Sequence, residues 1–104
     1  MTHIKLMPDY GCYPLWYYND DTVGCIDPAS ISLSEKLVTD LNEWQYEFDS
    51  TLNHDDPAKS GFLSNKLESD FVSKGYLLAV ELQNELINTR VIYFDITRLC
   101  EQNV

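Results

Sequence analysis

Apolar positions between residues 33 and 48 recur at helical spacing. Leu33, Leu37, Leu41, Trp44 and Phe48 follow at intervals of four, four, three and four, which places all five on one face of a helix. The other face carries Glu35, Asp40, Glu43, Glu47 and Asp49. Two starts fit. Ser34 can cap the helix with Leu33 and Val38 as a hydrophobic staple, or Ser32 and Glu35 can form a capping box slightly earlier. Either start leaves Glu35 in the first turn, where it suits the helix dipole. The spacing predicts an end near Asp49 or Ser50. A second helix is predicted from Ser64, with Leu67, Phe71, Gly75, Leu78, Leu82 and Leu86 on one stripe, fading around Ile87–Asn88. Glycine inside a helix costs about 1 kcal/mol relative to alanine. Gly75 is therefore expected where this helix crosses another element closely.

The remaining pattern is strand-like. His3–Met7 alternates and reads as a first strand, which Pro8 ends or confines to an edge. Asp9-Tyr10-Gly11 is a turn. Leu15–Tyr18 reads as a strand, Asn19-Asp20-Asp21 as a turn, and Thr22–Ile26 as the returning arm of a hairpin that Asp27-Pro28 breaks. Within the aromatic strand, Trp16 and Tyr18 share one face and Leu15 and Tyr17 the other, with either pair inward. Arg90–Phe94 is a last strand, and the tail from about Arg98 is expected to be loose. Strands at both ends with helices between them predict a single α+β domain over residues 1–104: a small sheet with two amphipathic helices packed on one face. The order is compatible with parallel pairing of the first and last strands without requiring it.

Charge sharpens this picture. The chain has 104 residues and a net charge of −10. From Leu33 to Pro57, Lys36 stands against seven acids, Asp55 and Asp56 of the turn included, a net of −6. Seven basic residues scattered through the chain make no patch, which argues against nucleic acid and anionic membranes as partners. A cationic protein fits better. The apolar fraction of 44% is that of a globular domain rather than a disordered one. His3–Met7 is too short for a signal peptide core, and no stretch approaches a membrane span, so a cytoplasmic location is expected. Cys12, Cys25 and Cys100 lack metal-ligand spacing and are expected as thiols, although Cys12 and Cys25 could pair under oxidising conditions. No long apolar edge strand demands a dimer, so a monomer is expected.

The most enzyme-like cluster is His54-Asp55-Asp56, an imidazole beside two carboxylates that suits a divalent metal or a general base in a metal-assisted hydrolase. A metal site normally draws three or four ligands from more than one segment. The competing reading is an Asx turn, with Asn53 and Asp55 bonding nearby amides and Pro57 fixing the exit. Glycines 11, 24, 61 and 75 are too scattered to cradle a phosphate, and no cofactor is implied. Residues 9–18 hold five aromatics, the side chains that most often anchor protein interfaces. A binding module is the better reading, with an acidic adaptor protein as a further alternative. Its candidate contacts are Asp20, Asp21, Asp40, Glu43, Glu47, Asp49, Asp55 and Asp56, with Tyr10, Tyr17 and Tyr18 as aromatic anchors.

Three segments together carry a resemblance: 8–16 (Pro-Asp-Tyr-Gly-Cys-Tyr-Pro-Leu-Trp), Gly24–Pro28 followed by Leu33-Ser34, and Leu52–Pro57 with Ser60-Gly61-Phe62. The chain resembles, from Ile4 to Asp95, small acidic bacterial immunity proteins of contact-dependent growth inhibition and related polymorphic toxin systems. Cys25 stands where that pattern usually has asparagine, and His54 where tryptophan is common, which argues against a catalytic or metal-binding role at position 54. The resemblance implies a non-enzymatic protein that binds the C-terminal domain of its cognate toxin, expected to be a basic nuclease and most readily an RNase, and occludes its active site.

Overall fold

Both helices begin and end where local chemistry dictates. The computed structural model describes residues 2–18, 24–56, 58 and 60–104. In it, helix α1 spans Glu35–Asp49 and helix α2 spans Asn65–Glu85. Ser34 caps α1, its hydroxyl accepting from Leu37 N, and Ser64 caps α2 in the same way through Leu67 N. A contact invisible in the local pattern strengthens the first cap. The Glu85 carboxylate at the end of α2 accepts from Ser34 N at 2.7 Å and from the Ser34 hydroxyl at 2.8 Å. It thus places negative charge at the positive end of the α1 dipole and ties the two helices together.

Five strands form one mixed sheet: β1 Thr2–Leu6, β2 Leu15–Tyr17, β3 Cys25–Ile26, β4 Thr89–Asp95 and β5 Cys100–Asn103, in the order β3-β2-β1-β4-β5. Strands β1 and β4 run parallel, with Ile4 opposite Val91 and Leu6 opposite Tyr93. The other pairings are antiparallel. Alternation turns Ile4, Leu6, Leu15, Ile26, Val91 and Tyr93 into one core with Leu37, Leu41 and Trp44 of α1 and Phe71, Leu78, Ala79 and Leu82 of α2. The fold is the expected α+β arrangement, with the helices against one side of the sheet. Leu15 is the inward residue of the aromatic strand. Thr22 and Val23, expected in the returning arm, lie outside the described residues, as do the turn residues Asn19 to Asp21 and Pro57.

Gly75 sits where α2 meets Trp44 and Tyr93. A Cβ built there would lie 2.6 Å from Tyr93 Oη and 2.9 Å from Trp44 Cε2, closer than real Cβ contacts come. The close crossing expected from the sequence is therefore present, and hydrogen bonds from Trp44 Nε1 to Phe71 O (3.0 Å) and from Tyr93 Oη to Val72 O (2.8 Å) hold it.

The expectation of a loose tail is corrected. Residues 100–103 form β5 on the edge beside β4, and Val104 packs against the core. The turn between them uses Leu99 at φ 50° rather than glycine or asparagine. The nearly buried Asp95 organises it, its Oδ1 accepting from Thr97 N (2.8 Å), Thr97 Oγ1 (2.6 Å) and Arg98 N (3.2 Å). Burial alone would raise the Asp95 carboxyl, but these bonds and the Arg98 charge outweigh it and hold it below its ordinary value. A depressed folded-state value gives stability that is present above the unfolded value of about 3.9 and is lost as pH falls through the folded one. Asp95→Asn is accordingly expected to lower unfolding free energy by about 1.5–3 kcal/mol at neutral pH. The gap to wild type should close on acidification below about pH 4. Urea titrations of both proteins across pH check this, and a gap independent of pH would contradict it.

Candidate functional site: an acidic helical layer and two clefts

The fold separates charge by layer. Helix α1 carries five acids and one lysine, a net of −4, and α2 carries four acids and two lysines, a net of −2. The five strands hold Lys5 and Arg90 against Asp95 and Glu101 and cancel. On the outer side of α1, Asp40 pairs with Lys36 at 2.8 Å and Glu47 with Lys74 of α2 at 3.0 Å. Glu43 is exposed and has no ion-pair partner among the described residues. Exposed pairs of this kind contribute roughly 0–1 kcal/mol, so an incoming cation can replace either lysine at small cost.

The other candidates scatter. In the loop after α1, Asp55 N and Asp56 N both donate to Asn53 Oδ1 at 3.0 Å, and Asn53 N donates to Ser60 Oγ at 2.8 Å. This is the Asx turn, with His54 and Asp55 exposed. Asp20 and Asp21 lie outside the described residues. Tyr10 is taken up within the fold, its ring stacked on Phe48 at 4.4 Å and its hydroxyl 2.7 Å from Thr51 Oγ1. Tyr17 is exposed opposite Ile4. Tyr18 lies on the sheet's uncovered side, where Lys5 Nζ sits 5.6 Å from its ring and 5.9 Å from that of Phe94. A hydrogen bond with Glu101, and that residue's charge, push the Tyr18 hydroxyl up. Tyr18 therefore lies on the side of the sheet away from α1, while Tyr10 packs beside the end of that helix.

Among the clefts that border α1, two have aromatic side chains on their walls. The first, of about 630 Å³, lies between the end of α1, residues 50–53 and 61–63, and the first turns of α2. Leu52, Phe62, Leu63, Leu67 and Phe71 line it, with Glu47, Asp70 and Lys74 also on its wall. Leu63 is 96% exposed and Leu67 50%. The helical stripe predicted Leu67 inside, but α1 ends at Asp49 and leaves the start of α2 uncovered. Gly61, at φ 149°, donates to Thr51 O at 3.0 Å and closes this loop. Three apolar residues in an otherwise polar stretch, Leu52, Phe62 and Leu63, were the available signal.

The second cleft, of about 460 Å³, is lined by Gly11, Cys12, Tyr13, Cys25, Asn42, Gln45, Tyr46 and Asp49. Gln45 is buried; its Nε2 donates to Asp9 O at 2.7 Å and to Asp49 Oδ1 at 3.0 Å, and Asp49 Oδ1 also accepts from Gly11 N at 3.1 Å. Burial, followed by the neighbouring Cys25, Asp9 and Asp49, pushes the Cys12 thiol up. All three cysteines are thiols.

Among the described residues, no three His, Cys, Asp or Glu side chains are placed to hold a metal ion. No helix among them is long and apolar enough to cross a membrane. What the surface offers is carboxylates, exposed apolar area and tyrosines, groups of the kind found in protein interfaces. The family model described as Serratia CdiI immunity protein-like matches residues 2–96. No curated protein matches the chain.

Proposed function

Because the chain belongs to the Serratia CdiI immunity protein-like family, we propose that it binds and neutralises the toxin of its own contact-dependent growth inhibition system, a cationic nuclease whose active site it occludes. RNA and DNA nucleases hold a polyanion and need a basic surface. The observation that carries the reading is the concentration of the excess negative charge in the helical layer, a net of −6 against none in the strands. Asp40, Glu43 and Glu47 on the outer side of α1 take the place of substrate phosphates. The apolar cleft beside Glu47 supplies the desolvated area where binding energy concentrates. The protein acts by binding alone, in the cytosol of the cell that makes the toxin, and is a monomer before capture.

The test is co-expression and pull-down with the C-terminal domain of the large reading frame that precedes the gene, over a range of salt concentrations. Capture that weakens as salt rises, together with loss of nuclease activity in the complex, is expected. Capture insensitive to salt would move the contact toward Tyr17 and Tyr18. No capture would end the reading.

A further inference from the structure

The loop before β2 and the edge strand β3 bring two thiols together. Cys12 and Cys25 are both half-buried and both line the second cleft, which opens to solvent. The Cys12 thiol is hydrogen-bonded to that of Cys25. Each sulfur is held from its own side. Cys12 N donates to Asp9 O at 3.2 Å, Gly11 N to Asp49 Oδ1 at 3.1 Å, and Met7 N to Pro14 O at 2.9 Å. Cys25 lies opposite Trp16 in the β2–β3 ladder, and beside it Tyr17 N donates to Gly24 O at 3.2 Å. Tyr13, next in the chain to Cys12, bonds through its hydroxyl to Asp27 just after β3. Loop and strand are thus already laid against each other with the thiols in contact. Topology keeps the third cysteine away. Cys100 is on β5, and β5 and β3 are opposite edges of the sheet. Four strand spacings separate them by roughly 19 Å, whereas a disulfide joins Cα atoms about 4.4–6.8 Å apart.

We propose that Cys12 and Cys25 form a reversible intramolecular disulfide that fastens β3 to the loop before β2. Strand β3 is two residues long and has a partner on one side only. Few backbone bonds hold it, and segments of that kind open before the rest of a fold. A covalent link closes the chain between residues 12 and 25 and restricts its open states. The oxidant is a low-molecular-weight disulfide. One protein thiolate attacks a sulfur of the reagent, whose S–S bond breaks and releases a thiolate with the bonding pair. The other protein thiolate then attacks the protein sulfur of the mixed disulfide and expels the second half of the reagent. The two cysteines lose two protons and two electrons, and the reagent gains them as two thiols. Burial first, and then Cys25, Asp9 and Asp49, hold the Cys12 thiol above its ordinary value. The thiolate is the attacking species, so closure is slow at neutral pH and faster in mild alkali. This chemistry belongs to the unbound protein and does not depend on the toxin reading above.

The test is to incubate the full chain with glutathione disulfide at about pH 8.5, where more of the thiol is ionised, then to alkylate, digest and map the peptides by mass spectrometry. The peptide carrying Cys12 should be joined to the peptide carrying Cys25 in a monomeric chain, with Cys100 outside the link. The melting temperature should rise by at least about 5 °C over the reduced protein. Dithiothreitol should reverse the rise, and Cys25→Ser should not show it. Glutathione left on Cys12 or Cys25 without the link, a link to Cys100, or a link that leaves the melting temperature unchanged or lowers it would overturn the proposal. The peptide map is read on the unsubstituted chain, so it decides the matter even where Cys25→Ser fails to fold.

Discussion

Trp44→Ala is expected to lower the free energy of unfolding by about 3–5 kcal/mol, a large share of the roughly 5–15 kcal/mol available to a domain of this size. The indole has no solvent exposure. It stacks on Phe71 with centroids 4.5 Å apart and planes within 4°, stands tilted against Tyr93, and donates to Phe71 O. Truncation leaves a cavity where the two helices meet the sheet and removes the donor from that carbonyl. The companion substitution runs against helix propensity. Alanine at position 75 is worth about 1 kcal/mol more than glycine in a helix. Gly75→Ala is nonetheless expected to destabilise by about 1–3 kcal/mol, because its Cβ must enter space held by Trp44 and Tyr93. In a Trp44→Ala background that penalty should shrink, since one of the two obstructing groups is gone. Urea unfolding followed by far-ultraviolet circular dichroism measures all four proteins. A Gly75→Ala protein more stable than wild type would show that the helix does not make this contact.

Glu43→Lys combined with Glu47→Lys is expected to slow association with the toxin domain by about 10-fold at low salt and to flatten the salt dependence of the rate. Steering by opposed charge lifts association toward ~10⁸–10⁹ M⁻¹s⁻¹ from about 10⁵–10⁶ M⁻¹s⁻¹ without it, and it is screened over a Debye length of about 8 Å at physiological ionic strength. Reversing two carboxylates changes the local charge by four units on a helix whose net charge is −4, so the α1 field is cancelled. Stability should hardly change. Both side chains are exposed, and the Glu47 pair with Lys74 is about half exposed on each partner, which limits its contribution to roughly 1 kcal/mol or less. Stopped-flow association at low and high salt gives the answer. An unchanged rate with unchanged salt dependence would remove the outer side of α1 from the encounter.

These two predictions draw on different levels of the molecule. Both helices, the Ser64 cap, four of the five strands and the acidity of α1 follow from local pattern, because a period of 3.6 or 2 and a capping serine act within a few residues; the structure chose Ser34 over Ser32 as the cap of α1. Even the purpose of Gly75 was legible as a helix-breaking residue in the middle of an apolar stripe. Strand β5 was not. Its sequence, Cys-Glu-Gln-Asn, has no apolar alternation, and the turn before it places Leu99 at positive φ where a hairpin signal would have been glycine or asparagine. An edge strand of this kind is held by backbone pairing to β4, which leaves no mark on its side chains.

The candidate site divides in the same way. Sequence alone determined that the protein is a small acidic α+β domain with a charged amphipathic helix, since net charge and periodicity are sums over residues and do not depend on who meets whom. Only the tertiary structure decided which acids are neutralised, which tyrosines are spent on packing and where clefts open. Glu85 reaches Ser34 across 51 positions, and Tyr10 reaches Thr51 across 41. Gln45 and Asp49 meet Cys12, Tyr13 and Cys25 because the loop before β2 and the start of β3 come to lie beside α1. Such meetings are set by chain topology and by the core that brings the elements together, and no local pattern encodes them.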